Sequence, residues 1–251
     1  MGGVQKKPKD IGGIEVIRKR FLAVIPARKG SKRLPNKNVL EIGGKPLVAW
    51  TIEAALRSKY IKEIVVSSDD ERVLDIANRY CVRTLRRPYE LATDSAKTID
   101  AVKHVLENIE ECFDYVVLLQ PTSPLRNEKH IDAAIELLND KQADAVVSVR
   151  EMKHPPLWCN TLPENKSMEG FLREEIKNSR SQDLPKFYCL NGAIYICKTD
   201  RLIEENTFFI RNNIYAYVMD EISSVDIDEY IDYLFVKFIV ENEFHKSQSF
   251  E

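Results

Sequence analysis

The sequence predicts an α/β fold in which a mostly parallel sheet carries helices on both faces. Three observations carry this expectation. Short apolar runs alternate with longer amphipathic segments along most of the chain. Two of those runs, 21–26 (FLAVIP) and 115–119 (YVVLL), are almost wholly apolar, as in strands buried on both faces. The segments between them have helical spacing and are long enough to serve as the crossovers that parallel strands require.

Taken in order, 21–26 is the first strand. In 46–58 (PLVAWTIEAALRS), Leu47, Trp50, Thr51, Ala54 and Ala55 share one helical face, and Pro46 suits a first helical turn. The run 63–67 (EIVVS) is a second strand, and 69–80 is a helix with Asp69 or Asp70 as its N-cap. A weaker strand at 82–85 and a helix at 98–111 follow. The run 115–119 is the central strand, 131–138 is helical and 145–149 (AVVSV) is again a strand. From about 151 the pattern breaks. Residues 154–190 hold His154, Pro155, Pro156, Pro163 and Pro185 among many charges, so the chain is expected to leave the core there. Leu157, Trp158 and Phe171 in that excursion need cover. Asn191-Gly192 reads as a tight turn. Strands return at 193–197 (AIYIC) and 214–219 (IYAYVM), and 227–240 is a closing helix.

The bulk composition excludes several classes. With 37 Lys and Arg against 39 Asp and Glu, the net charge is -2, so the whole surface is not that of a nucleic-acid binder. No apolar run reaches the roughly 20 residues of a membrane helix. The five cysteines are scattered, with no Cys-x-x-Cys pair. A disulfide framework and a zinc site are both disfavoured, and a reducing cytoplasm fits. Residues 1–20 have basic character without an apolar core and read as a flexible extension. That leaves 21–251 as the folded unit.

In a parallel sheet, ligands gather beyond the C-terminal ends of the strands, and three motifs stand out. Residues 27–38 (ARKGSKRLPNKN) follow the first strand and carry Arg28, Lys29, Lys32, Arg33 and Lys37 around a Gly30-Ser31 turn. Such a loop either cradles an anion such as a polyphosphate or is simply a solvated basic turn; it is not a Walker loop. In 120–126 (QPTSPLR), Gln120 emerges at the end of the central strand, where its amide can donate to and accept from a sugar. In 224–228 (SVDID), Asp226 and Asp228 point the same way if extended, which suits two oxygen ligands for a magnesium ion bridging phosphates. The same acids could instead cap the closing helix. Arg87 to Asp94 joins two core elements with no chemistry evident from the residues. Phe208 and Phe209 cannot both face one core, and Arg173 and Arg180 lie in the irregular excursion.

Taken together, IPARKGSKRLPNKN, RRPYELATD, LLQPTSPLR, NGAIYI, FFI and SVDID resemble, in this order, the acylneuraminate cytidylyltransferases. The resemblance spans about 21 to 241 and implies a Rossmann-like nucleotidyltransferase. It implies that Arg28, Ser31, Lys32, Lys37, Asn38 and Arg87 bind CTP, with Arg28 and Lys37 on the triphosphate. It implies that Gln120, Arg180, Tyr195, Phe208 and Phe209 surround the acceptor sugar, the two phenylalanines reaching across a dimer interface. It implies that Asp226 and Asp228 bind Mg²⁺, with Mn²⁺ as a substitute, and act in catalysis with Arg28 and Lys37. The 154–190 excursion matches the dimerisation region, so a homodimer is expected. The stretch 187–190 (FYCL) departs from the family pattern on the sugar side.

The implied reaction transfers CMP from CTP to the C2 hydroxyl of an acidic nine-carbon sugar, a 2-keto-3-deoxy nonulosonic acid such as N-acetylneuraminate, and releases pyrophosphate. Alternatives are the same chemistry on a legionaminic, pseudaminic or Kdo-type acid, a D-x-D glycosyltransferase, or a nucleotide-binding module without turnover. A glycosyltransferase would not need a triphosphate-sized basic loop after its first strand.

Overall fold

The computed structural model describes residues 19–242. The expected N-terminal extension therefore lies outside the described residues, except for Lys19 and Arg20. Arg20 is already tied to the sheet: its backbone N–H donates to Asp114 Oδ2 at 2.7 Å, and its carbonyl accepts from the Asp114 and Tyr115 amides.

Strand β1 (Phe21–Pro26) is the centre of the parallel part, flanked in parallel by β4 (Ile61–Ser68) and β6 (Tyr115–Leu118). β5 (Arg83–Arg86) pairs in parallel beyond β4. On the other side, β8 (Tyr188–Lys198) runs antiparallel to both β6 and β7 (Ala145–Glu151), and β9 (Ile214–Met219) pairs in parallel with β7. The seven-stranded order is β5-β4-β1-β6-β8-β7-β9. A separate two-stranded hairpin, β2 (Glu41–Ile42) and β3 (Lys45–Pro46), turns through Gly43 and Gly44, both at positive φ.

The alternation along β1 shows why both faces are covered. Phe21, Ala23 and Ile25 belong to a core shared with α1 (Leu47–Arg57), α2 (Glu71–Arg79) and α4 (Glu128–Asp140). Leu22 and Val24 face the opposite core, formed with α3 (Thr98–Glu107) and with Leu202 of α5 (Thr199–Glu205). Period-two alternation in a strand buried on both sides yields this division. Helix α6 (Tyr230–Glu241) closes a third, smaller cluster over the β2–β3 hairpin, with Val236 against Ile42, Leu47 and Ile227.

The N-termini follow local chemistry. Asp70 caps α2 by accepting from the Arg72 N–H at 3.0 Å. Asn127 and His130 form a reciprocal capping box on α4.

Three sequence expectations need correction. Asn191-Gly192 is not a turn before a strand but lies inside β8, where the register shifts; Gly192, at φ 75°, supplies the backbone conformation this irregularity needs. The excursion is irregular as expected, with three single-turn 3-10 segments, but its last residues, 188–190, already belong to β8. The closing helix begins at Tyr230 rather than Ile227.

Candidate active site

The C-terminal ends of β1, β4 and β6 bring the three motifs together. The Ala27 amide donates to the Ser67 carbonyl at 2.9 Å, and the Arg87 amide donates to the Ser68 carbonyl at 2.8 Å. The basic loop is therefore braced from β4. The Lys29 amide donates to Asp69 Oδ1 at 2.7 Å, and Asn38 Nδ2 donates to the Arg28 carbonyl at 2.9 Å. Asp69 thus anchors the loop while Asp70 caps the helix.

A cavity of about 190 Å³ opens at this edge, lined by Arg28, Ser31, Lys37, Asn38, Arg87 and Gln120. Six residues chosen from the sequence share one recess. Arg87 is nearly buried; Nη2 donates to the Ser67 carbonyl at 2.8 Å and Nε to Ser67 Oγ at 3.2 Å. Burial pulls the Arg87 guanidinium down to about 10, with Asp69 opposing and Arg28 reinforcing the shift. It stays cationic at neutral pH, and a cation at this depth is poorly screened by solvent. Lys32 does not line the recess. It pairs with Asp94 at 2.8 Å, and Arg28 pairs with the same carboxylate at 2.7 Å. These cations hold the Asp94 carboxyl below the usual carboxylate range.

The aspartate pair lies across from this loop. Residues 225–228 are outside helix and sheet, and Ile227 is fully buried between Asp226 and Asp228. The Ile227 amide donates to the Thr122 carbonyl at 2.8 Å, and Lys37 Nζ donates to the Ile227 carbonyl at 2.7 Å. The segment is clamped between the basic loop and the 120–126 turn. Lys37 Nζ also lies 3.3 Å from Asp228 Oδ1, and Arg33 Nη2 lies 3.0 Å from Asp228 Oδ2. The residue that caps α6 is Glu229, in a reciprocal box with Asp232, so neither Asp226 nor Asp228 is the cap. Burial pushes the Asp226 carboxyl up; Thr122 and Lys37 oppose this, and Asp228 adds to it. Its Oδ1 is buried without a hydrogen-bond partner. Two carboxylates two residues apart, one with an orphaned buried oxygen, are a donor set that fits Mg²⁺, which takes one or two protein carboxylates and completes its shell with water and phosphate oxygens.

Gln120 also lines a second cavity, of about 560 Å³, together with Arg150, Asn191, Tyr195 and Asp226. The Gln120 backbone is held from behind: Arg126 Nη2 donates to its carbonyl at 3.3 Å and to Thr51 Oγ1 at 2.9 Å. Arg126 is fully buried, which pulls its guanidinium down to about 9. Asn191 joins the sheet to the aspartate loop. Its Oδ1 accepts from Ser148 Oγ at 2.6 Å and its Nδ2 donates to Ser224 Oγ at 2.9 Å.

The other sugar-side expectations fare differently. Tyr195 lines the second cavity, and its ring packs 5.8 Å from Phe208 and 6.0 Å from Phe209 within the same chain. Phe208 is buried and Phe209 half exposed, and neither lines either cavity. Arg180 stands exposed at the start of a 3-10 turn and also lines neither. Sequence reasoning missed Asp94, Arg126, Asn191 and Arg150 as parts of the site. The signal for Arg150 was a cation at the far end of a strand, where the sheet opens to ligands.

Residues 22–229 match the family model described as Cytidylyltransferase. The chain belongs to the cytidylyltransferase family. It is 38% identical over 218 residues to an N-acylneuraminate cytidylyltransferase of Escherichia coli O18:K1:H7, covering 86% of this chain and 51% of that protein. It thus spans about half the length of that curated relative. It is also 38% identical over 233 residues to a CMP-N,N'-diacetyllegionaminic acid synthase of Legionella pneumophila, covering 88% of this chain and 97% of that one. A solved CMP:2-keto-3-deoxy-manno-octonic acid synthetase complexed with CTP has the same cytidylyltransferase fold, with a TM-score of 0.67 at 20% identity, covering 90% of this chain and all of that one. Among the described residues no helix is long and apolar enough to cross a membrane.

Proposed function

We propose that this chain transfers CMP from CTP to the C2 hydroxyl of a 2-keto-3-deoxy nonulosonic acid, an N-acylneuraminate or its legionaminic analogue, releasing pyrophosphate. The observation that carries this reading is the pair of adjoining cavities that share Gln120, one walled by cations and the other by polar groups beside Asp226. A highly charged nucleotide suits the first and a polar sugar the second. Relatives named for both sugars, at equal identity, support the substrate class.

In this reading Arg28, Lys37 and Arg87, with the Ser31 and Asn38 polar groups, hold the nucleotide phosphates and offset the charge that builds during transfer. Lys32 exchanges Asp94 for a phosphate oxygen. Gln120 orients the acceptor between the two cavities, and Tyr195 walls the sugar side. A divalent cation on Asp226 and Asp228 would withdraw charge from the phosphate oxygens. The catalytic unit begins at the first strand. The protein works in the cytoplasm as a homodimer, with 154–190 as the dimerisation excursion. Arg180 and the half-exposed Phe209 then complete sugar pockets across the interface, whereas Phe208 stays in its own chain's core beneath Tyr195. Half exposure of Phe209, together with exposed Tyr188, Leu190 and Val218, supports a covered surface there. Sedimentation of the full chain tests the dimer, which a fully active monomer would exclude.

The test of the reaction is pyrophosphate release from CTP with Mg²⁺ against a panel of acidic keto sugars. Release that depends on a nonulosonic acid is expected. CTP binding without release on any acid would leave only a nucleotide-binding module.

A further inference from the structure

Arg150 is the one cation lining the 560 Å³ cavity, whose other charged residues are Glu221, Asp226 and Asp232. Each of these acids is engaged or accounted for. Glu221 pairs with Lys153 at 2.6 Å, and Asp232 Oδ2 accepts from the Asp228 and Glu229 amides at 3.0 and 2.8 Å. Asp226 lines the same cavity, but the cation beside it is Lys37. The Arg150 guanidinium has neither an ion pair nor a hydrogen bond among the described residues, whereas the flanking Glu151 and Lys153 are both paired. It is partly buried near the end of β7, two residues beyond Ser148 and so on the same face. Ser148 Oγ bonds Asn191, which lines the same cavity. Across the ladder Arg150 stands opposite Cys189.

We propose that Arg150 binds the acceptor's carboxylate and so sets the specificity of the sugar pocket for an acid. The inference rests on the acidic-sugar reading above. A guanidinium offers a planar fork matched to a carboxylate, and here it has no internal carboxylate to satisfy it. In a 2-keto acid closed as its cyclic hemiketal, the C1 carboxylate is one bond from C2, the anomeric carbon that bears the reacting hydroxyl. Holding the first therefore places the second. Arg180, exposed and outside the cavity within the chain, is not in position to take this role from its own side.

The experiment is steady-state kinetics of the full chain with the free acid and with its C1 methyl ester, for wild type, Arg150→Ala, Arg150→Lys and Arg180→Ala. Arg150→Ala is expected to raise the acceptor KM by ~10- to ~100-fold while the KM for CTP stays unchanged, which also reports an intact fold. The wild type should discriminate against the ester by a similar factor and Arg150→Ala should not, with Arg150→Lys between. Equal discrimination by Arg150→Ala and wild type would overturn the assignment, as would a carboxylate preference lost in Arg180→Ala alone. Either result leaves cytidylyl transfer standing. A wild type inactive on every acid would instead overturn the transfer reading, and the role of Arg150 with it.

Discussion

Lys37 Nζ lies 3.3 Å from Asp228 Oδ1 while donating to the Ile227 carbonyl at 2.7 Å, so one side chain couples the basic loop to the aspartate pair. Lys37 is only 12% exposed, which makes this coupling less screened than a surface pair. Lys37→Ala should lower kcat/KM by at least ~10²-fold and weaken CTP binding, because it removes a fixed cation and loosens both loops. Lys37→Arg should recover part of the loss. Steady-state kinetics with calorimetric titration of CTP checks both, and wild-type behaviour of Lys37→Ala would remove this residue from the site.

Asp226 sets a pH dependence whose sign follows from burial. Its folded pKa is raised, so between the ordinary carboxylate value and the raised one the native state binds more protons than the unfolded chain. Stability from this group therefore falls as pH rises through that window, and the deficit persists above it. Asp226→Asn should raise the Tm at about pH 8 relative to wild type, with the difference closing as pH falls below the ordinary carboxylate range. Added Mg²⁺ or Mn²⁺ should raise the Tm of the wild type and not of Asp226→Asn. Equal metal-induced shifts in both proteins would displace the cation from this carboxylate. Activity of Asp226→Asn should fall by ~10²-fold or more.

Asp94 competes with the nucleotide for Arg28 and Lys32, which it holds at 2.7 and 2.8 Å. Both pairs are solvent-exposed, so the competition is weak. Asp94→Asn should lower the KM for CTP by a few-fold at low salt, with the effect shrinking as ionic strength rises. An increase in KM would mean that Asp94 orders the loop rather than competing with the ligand.

Asn191 bridges Ser148 on β7 and Ser224 ahead of the aspartates, and it is buried. Asn191→Ala removes one hydrogen bond from each hydroxyl, while their bonds to Ile194 and the Asp220 carbonyl remain, and should cost ~1 kcal/mol or somewhat more in urea unfolding. It should also raise the Mg²⁺ concentration needed for half-maximal activity, because the loop carrying Asp226 loses its tie to the sheet. Loss of stability with an unchanged Mg²⁺ response would confine Asn191 to a structural role.

The parallel half of the sheet was legible because β1 and β6 are near-continuous apolar runs, β4 carries the apolar stretch 64–66, and α1, α2 and α4 repeat with helical spacing. The direction of β8 was not. Reversal against β6 and β7 depends on the path of the irregular excursion, which has no periodicity to read. The β2–β3 hairpin was passed over although Gly43-Gly44 marks its turn, because two-residue strands leave almost no alternation. Helix α5 is short and buries only Leu202, so its pattern is faint. On the site, the basic loop and Gln120 follow strand ends and could be placed from position alone. That neither Asp226 nor Asp228 caps α6 could be read only from the capping geometry of Glu229. Arg126 and Asn191 act through what lies opposite them in space, which local sequence does not show, whereas Arg150 is marked only by its place at a strand end.

CTP and an acidic sugar are expected to occupy adjoining cavities that meet at Gln120. The most direct measurement follows the label from CTP radiolabelled at the α-phosphate, incubated with Mg²⁺, the full chain and a nonulosonic acid. The label should move into a CMP-sugar joined through C2, with one unlabelled pyrophosphate released per transfer. Label that remains in CTP, or that appears in free CMP regardless of the acid supplied, would contradict it.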